Sequence, residues 1–257
     1  MKVETVLCVD IGNSCIKWGV CELEQISWGQ SGLIDLAKNE IEQALGQQLA
    51  GLNVMPVWVA AVAEQETKER VLSWFEQNWS VAVNFIESEN QAEKYRHLNV
   101  YSDGGALGVD RWIAMLAAMN RVGRPYCVID AGTAITVDVV DKEANHVGGM
   151  IMPGKRLMFK ALSQGTQNID QHEQQRECVL DVLGTSTKDA VMIGVANSIM
   201  GGLSKALGDI KRNYHGIEFI VTGGDAEWVQ QCLEISLKLE KNLVLDGIGL
   251  IARDVYA

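Results

Sequence analysis

The sequence predicts an α/β protein built from two domains that share one order of elements. Three observations predict it. The chain has 257 residues, more than one compact core usually supports, so it divides. Apolar strand-like runs alternate with amphipathic helix-like ones, the pattern of sheets covered by helices. Finally, VLCVDIGNSCIKWGV (Val6 to Val20) is nearly rewritten as YCVIDAGTAITVDVV (Tyr126 to Val140), with Asp10 and Asp130 lying 120 positions apart, and duplication explains this most economically. The expected domains are 1–118 and 119–257, each with its own Gly-containing turn.

VETVLCVDI reads as a buried strand, Gly12 and Asn13 make the turn, and IKWGVCEL alternates as its hairpin partner. LIDLAKNEIEQALGQQL places Leu33, Leu36, Ala37, Ile41, Ala44, Leu45 and Leu49 near helical spacing and predicts a helix. MPVWVAAVA is a strand, EQETKERVLSWFEQNW a helix and VAVNFIE a strand; after an irregular segment, DRWIAMLAAMNRV has the apolar face of a helix. Tyr126 restarts the pattern of strand, turn and strand. A Gly-rich VGGMIMPGK follows, then a variable polar region (Ser163 to Glu177) and a long helix from about Ser186 to Arg212. IEFIVTGGDAEWVQQCL reads as strand, Gly-Gly turn and helix, and GIGLIARDVY closes the chain as a helix.

The composition is that of a folded globular chain, with 47% hydrophobic and 21% charged residues and 3 Pro. A net charge of -11 opposes contact with a polyanion, so no nucleic-acid partner is expected. Cys8, Cys15, Cys21, Cys127, Cys178 and Cys232 form no C-x-x-C pair and read as free thiols in a reducing compartment. His97, His146, His172 and His215 are too scattered for a histidine metal site. The amino terminus lacks the pattern of a signal peptide, and the longest apolar run, Ala190 to Leu207, is interrupted by Asn197, Ser198 and Lys205. A cytoplasmic protein without a membrane partner is the expectation. Trp18, Trp58, Trp74 and Trp112 fall on apolar faces, which suits packing better than base stacking.

The repeated turn carries the chemistry. An Asp at a strand end followed by Gly brings backbone N–H groups close to a ligand, and successive N–H groups make a concavity for phosphate. Asn13 and Ser14 add donors, Lys17 adds a charge, and Asp10 suits Mg2+ or its waters. Two ordinary hairpin turns would look similar. The matched offset and a third turn, VTGGDA (Val221 to Ala226), favour the phosphate reading.

This three-loop arrangement resembles the superfamily of acetate and sugar kinases, heat-shock proteins and actin. The resemblance implies two ribonuclease H-like domains with mixed sheets flanked by helices, and ATP as ligand. Within it, DIGNS, GVDRW (Gly108 to Trp112) after Tyr101, and DAGTAITVD look like type III pantothenate kinase over nearly the whole chain. Ser14 stands where that family more often has Thr, and Gly104 and Gly105 where a Pro-containing loop is common.

A kinase needs a carboxylate beside the acceptor hydroxyl, and Asp110 is the candidate base. By the resemblance, Asp10, Ile11, Gly12, Asn13, Ser14, Cys15, Ile16, Lys17 and Thr133 hold ATP. Tyr101, Gly108, Val109, Asp110, Arg111 and Thr187 hold pantothenate, the Arg111 fork suiting its carboxylate. Asp130 takes a monovalent cation, potassium or ammonium, and Asp138 helps hold the second loop or stands at an edge in solvent. The implied activity is phosphorylation of pantothenate to 4'-phosphopantothenate, the first step of coenzyme A synthesis, by a homodimer. A non-catalytic nucleotide-binding regulator and a kinase for another small hydroxylated acid remain open alternatives.

Overall fold

β1 (Thr5–Ile11) is buried at nearly every position, as a strand covered on both faces must be. A computed structural model describes residues 3–38, 40–88, 93–165 and 182–256. β2 (Cys15–Glu22) returns antiparallel to β1 with Asp10 opposite Lys17, and β3 (Ser27–Asp35) pairs antiparallel with β2. α1 (Ile41–Gln48) leads to β4 (Val57–Ala61), parallel to β1, and α2 (Gln65–Trp79) crosses over to the parallel β5 (Val83–Phe85). α3 (Val109–Ala118) completes this part of the chain.

The pattern then repeats. β6 (Tyr126–Ala131), β7 (Ala134–Val140) and β8 (His146–Pro153) form an antiparallel meander, followed by α4 (Lys155–Gly165) and α5 (Thr187–Asn213). β9 (Glu218–Thr222) pairs parallel with β6, α6 (Ala226–Cys232) follows, β10 (Lys238–Leu239) extends the sheet in parallel, and α7 (Leu243–Tyr256) ends the chain. The two sheets have orders β3-β2-β1-β4-β5 and β10-β9-β6-β7-β8. With β6 to β10 matched to β1 to β5, these are one topology written twice.

Two compact units result, Met1–Arg121 with Asn242–Ala257, and Val122–Lys241. The terminal helix, expected with the second half, packs in the first. The reason is steric: a Cβ on Gly247 would stand 2.4 Å from Ile113 Cγ2 and 2.5 Å from Ile113 O, so α7 lies close on α3 only because that side chain is missing. Asp246, 4% exposed, adds polar ties, accepting from Trp28 Nε1 at 2.8 Å and from Arg121 Nη2 at 3.0 Å.

The helix expected over Leu33 to Leu49 is three elements, the end of β3, a 3-10 turn (Leu36–Lys38) and α1. Leu33–Asp35 belong to β3, where Ile34 is buried opposite Ile16 while Leu33 is exposed opposite Lys17. That is the alternation of a strand. β8 was likewise hidden in the Gly-rich stretch. The long helix α5 is long and apolar enough to cross a membrane, contrary to the reading of its interruptions. Its Ile199, Leu203 and Leu207 nevertheless lie in the core of the second unit, with Ile129, Val137 and Val221 from the sheet. Cys178, His172 and most of the variable polar region lie outside the described residues.

The first unit's core joins Leu7, Val9, Ile16 and Trp18 to Val71, Trp74 and Phe75 of α2. Each such side chain contributes roughly 1.5–3 kcal/mol by burial. Trp58 and Trp112 are buried too, so the four tryptophans assigned to packing are interior.

Candidate functional site

In both units the polar turn leaves the carboxyl end of the central strand. In α/β sheets this edge is where ligands bind, because the backbone there is free of further pairing. The first turn is closed by Gly12 N–H donating to Cys15 O at 3.0 Å, and Leu36 N–H donates to Ser14 O at 3.0 Å. Asp10, Gly12, Ser14, Cys15 and Lys17 are half-buried and Asn13 is exposed, so all six line the surface of the turn. Ile11 and Ile16 are fully buried in the core, which leaves only their backbone for a ligand.

Of the expected acceptor-side residues, Tyr101, Gly108, Val109, Asp110 and Arg111 lie in the same unit, and Thr187 lies in the other. A short 3-10 turn (Gly104–Ala106) leads into α3, with the Asp103 side chain accepting from Gly105 N–H at 3.2 Å. Gly108 is the helix cap, and Asp110 stands in the first turn, where the helix dipole favours a carboxylate. Asp110 Oδ1 accepts from Arg111 N–H at 2.8 Å, and a Cβ on Gly108 would lie 2.6 Å from the same oxygen. The carboxylate is therefore folded over Gly108, and a larger residue there would displace it. Arg111, 6% exposed, donates from Nη1 to Tyr101 Oη at 3.1 Å with its guanidinium 5.6 Å from that ring's centroid. The pair presents one oriented cation.

Gly108 and Val109 border a hollow of about 450 Å³ whose other walls include Ala61, Val62, Glu87 and Ser88. Ala61 ends β4, Val62 follows it, and Glu87 and Ser88 follow the carboxyl end of β5, while Val62 N–H donates to Ile11 O at 3.0 Å. The first turn and the hollow thus share one sheet edge. Glu87 and Ser88 carried no motif in the sequence; only their place after β5 marks them.

In the second unit, Asp130 is the last residue but one of β6, opposite Thr136, and Gly132 N–H donates to Ala134 O at 3.0 Å to close the turn that carries Thr133. The third turn is locked on it. Gly223 has φ +98°, and a Cβ there would stand 2.5 Å from both Ala131 O and Asp130 Oδ1. Asp225 N–H donates to Ala131 O at 2.8 Å. A third segment joins them: Gly154 N–H donates to Thr133 O at 3.0 Å, and Lys155 Nζ reaches Asp225 Oδ1 at 2.7 Å. Gly154, Lys155 and Asp225 were missed as site residues, although PGK and GGDA were both visible as Gly turns.

Among the described residues no three His, Cys, Asp or Glu gather as a metal cage. Asp130 Oδ1 and Ala131 O both lie close against Gly223, and since Ala131 O accepts from Asp225 N–H, the Asp130 carboxylate is the hard oxygen donor that this turn offers a cation. Asp10 offers a comparable single carboxylate for Mg2+ waters. Asp138 is not an edge carboxylate: it is 2% exposed and lies 3.0 Å from His146 Nε2, tying β7 to β8. Thr187 is the first residue of α5, exposed, and the cap is Ser186, whose Oγ accepts from Asp189 N–H at 3.1 Å. Thr187 borders a hollow of about 680 Å³ between α4 and α5, with Met158, Leu162 and Val191.

A family model described as type III pantothenate kinase matches residues 6–207. A type III pantothenate kinase of Nitrosococcus oceani is 30% identical over 256 residues, covering 97% of this chain and 94% of that protein. Of solved structures, a Baf family protein from Campylobacter jejuni matches with a TM-score of 0.60 at 23% identity, covering 97% of this chain and 98% of that one. A ROK family glucokinase from Streptomyces griseus, in complex with glucose and AMPPNP, matches with a TM-score of 0.53 at 14% identity, covering 97% and 99%. At such identities the two structures speak for the fold alone, an α/β fold with two mixed five-stranded sheets and flanking helices.

Proposed function

Since the chain belongs to the type III pantothenate kinase family, we propose that it transfers the terminal phosphoryl group of ATP to the 4'-hydroxyl of pantothenate, opening coenzyme A synthesis. The observation that carries this reading is the Asp110 carboxylate folded over Gly108, a residue that borders the hollow sharing a sheet edge with the first turn.

Asp110 accepts the proton of the pantothenate hydroxyl as its oxygen bonds to phosphorus and the bond to ADP breaks. Arg111, held by Tyr101, pairs with the pantothenate carboxylate and orients the chain so that the far hydroxyl meets Asp110. Gly108 and Val109 form the wall, and Thr187 is the remaining residue proposed to contact pantothenate. The backbone of Asp10 to Lys17, with Asn13, Ser14 and Lys17, cradles phosphates, and Thr133 does so from the second turn. Asp130 would hold potassium or ammonium and Asp10 the waters of Mg2+; these ions would neutralise charge on the transferring phosphoryl group. A homodimer through the apolar α4 and α5 face, in the cytoplasm, completes the proposal.

The test is turnover of ATP by the purified chain with and without pantothenate, in sodium and then potassium buffer. Activity that needs both pantothenate and potassium supports the reading, and Asp110→Asn should lower kcat by about 10²-fold or more while ADP still binds. Full activity in that variant would remove Asp110 as base. Turnover with another hydroxylated acid in preference to pantothenate would defeat the acceptor assignment.

A further inference from the structure

Lys155 has no part in the reading above, yet the second and third turns converge on it. Gly154, just before it, is clamped on the second turn: a Cβ there would stand 2.3 Å from Gly132 O and 2.6 Å from Thr133 O. The lysine stem therefore leaves the backbone beside Thr133 at a fixed point. Its ammonium pairs with Asp225 at 2.7 Å and lies 4.4 Å from the centroid of the Trp228 ring. Asp225 in turn hangs by its N–H from Ala131 O, at the root of the second turn. One cation thus spans the two turns.

The ion pair is not sealed from water, for the Lys155 and Asp225 side chains are 21% and 28% exposed. Such a pair holds weakly, and one carboxylate competes poorly with a phosphate chain that carries several charges and more acceptor oxygens. The lysine stem is flexible and its ammonium is a point charge, so it can turn from one anion to another without moving the backbone.

We propose that Lys155 is a phosphate-binding lysine of the nucleotide site, parked on Asp225 over Trp228 until the phosphate chain of a nucleotide draws its ammonium away. This rests on the nucleotide reading of the turns but not on the identity of the acceptor. A surface ion pair is the alternative, and it predicts no effect on nucleotide affinity.

Calorimetric titration of the full chain with ADP and with adenosine separates the two. Lys155→Met should weaken ADP by about tenfold and adenosine by less than about twofold, while Lys155→Arg keeps most of the ADP affinity. KM for ATP should rise in step and KM for pantothenate should not move. Asp225→Asn, which removes the competing carboxylate, should tighten ADP by about threefold, a sign that a purely structural role would not give. Equal losses for ADP and adenosine in Lys155→Met, or weaker ADP binding in Asp225→Asn, would overturn the proposal. So would unchanged ADP affinity in both. ADP binding that depends on Lys155 in a protein without pantothenate turnover would uphold it and sink the acceptor reading instead.

Discussion

Gly223→Ala and Gly224→Ala are neighbouring substitutions with opposite expectations. At Gly223 φ is +98°, and an L residue in such a conformation costs of order 1–3 kcal/mol. The new methyl would also stand 2.5 Å from Ala131 O and Asp130 Oδ1, so the turn must retreat by at least about 0.5 Å to reach even 3.0 Å. Ala131 ends the central strand β6 and is fully buried, so it does not yield; overpacking of this kind costs about 1–3 kcal/mol more. The combined loss of about 2–6 kcal/mol should lower Tm by roughly 4–24 °C. Separating the two turns should also weaken ADP by about tenfold or more, since displacements near 1 Å are costly at a positioning site. At Gly224 nothing lies within 4 Å of the new methyl and φ is not positive, so stability should change by no more than about 0.5 kcal/mol. Differential scanning calorimetry and ADP titration decide the matter. Equal Tm and equal ADP affinity in the two variants would refute the claim that the second and third turns are locked through Gly223.

Asp246→Ala strips Trp28 and Arg121 of a buried partner and should cost about 2–4 kcal/mol in urea unfolding, with Asp246→Asn costing less because it still accepts from Trp28. An effect below about 0.5 kcal/mol would contradict the role given to this residue in seating α7. Arg70 grips Glu42 with two of its nitrogens, Nε at 2.7 Å and Nη2 at 2.6 Å, and holds its carboxyl below the ordinary value of 4.5. The folded value lies below the unfolded one, so the contribution is complete above about pH 4.5 and is lost as pH falls through the folded value. Glu42 is 49% exposed, so screening keeps the effect under about 1 kcal/mol. The Tm gap between the unaltered protein and Arg70→Ala should be small at pH 7 and narrow progressively as pH falls below about 4.5. Burial pushes the Cys8 and Cys127 thiols up, whereas Cys15 is partly exposed beside the first turn. Iodoacetamide should label native Cys15 ahead of Cys8 and Cys127, and ADP should slow that labelling, as peptide mass mapping would show.

The doubled hairpin, its Asp-Gly turn and helices α2, α3 and α5 were legible in the sequence because each is a local fact. A buried central strand is a run of Val, Ile, Leu and Cys, a helix shows its apolar face by spacing, and a turn shows its glycine. β3 and β8 left only a faint trace: both are edge strands with one buried residue each, Ile34 and His146, so the alternation they carry is too short to stand out. Leu33 and Leu36 therefore counted toward a helix that starts only at Ile41.

The sequence by itself determined the two-fold topology, the carboxylates Asp10, Asp110 and Asp130 at element ends, and the Gly turns that admit a ligand. Tertiary structure decided that α7 closes the first unit through Gly247, that Ile11 and Ile16 face the core, that Ser186 rather than Thr187 caps α5, and that Lys155 meets Asp225 and Trp228. The physical reason is that burial and turn geometry are written within a few residues, whereas these meetings depend on strand order and parallel register. Register brings distant turns to one sheet edge, and no short stretch of chain records which turns those will be.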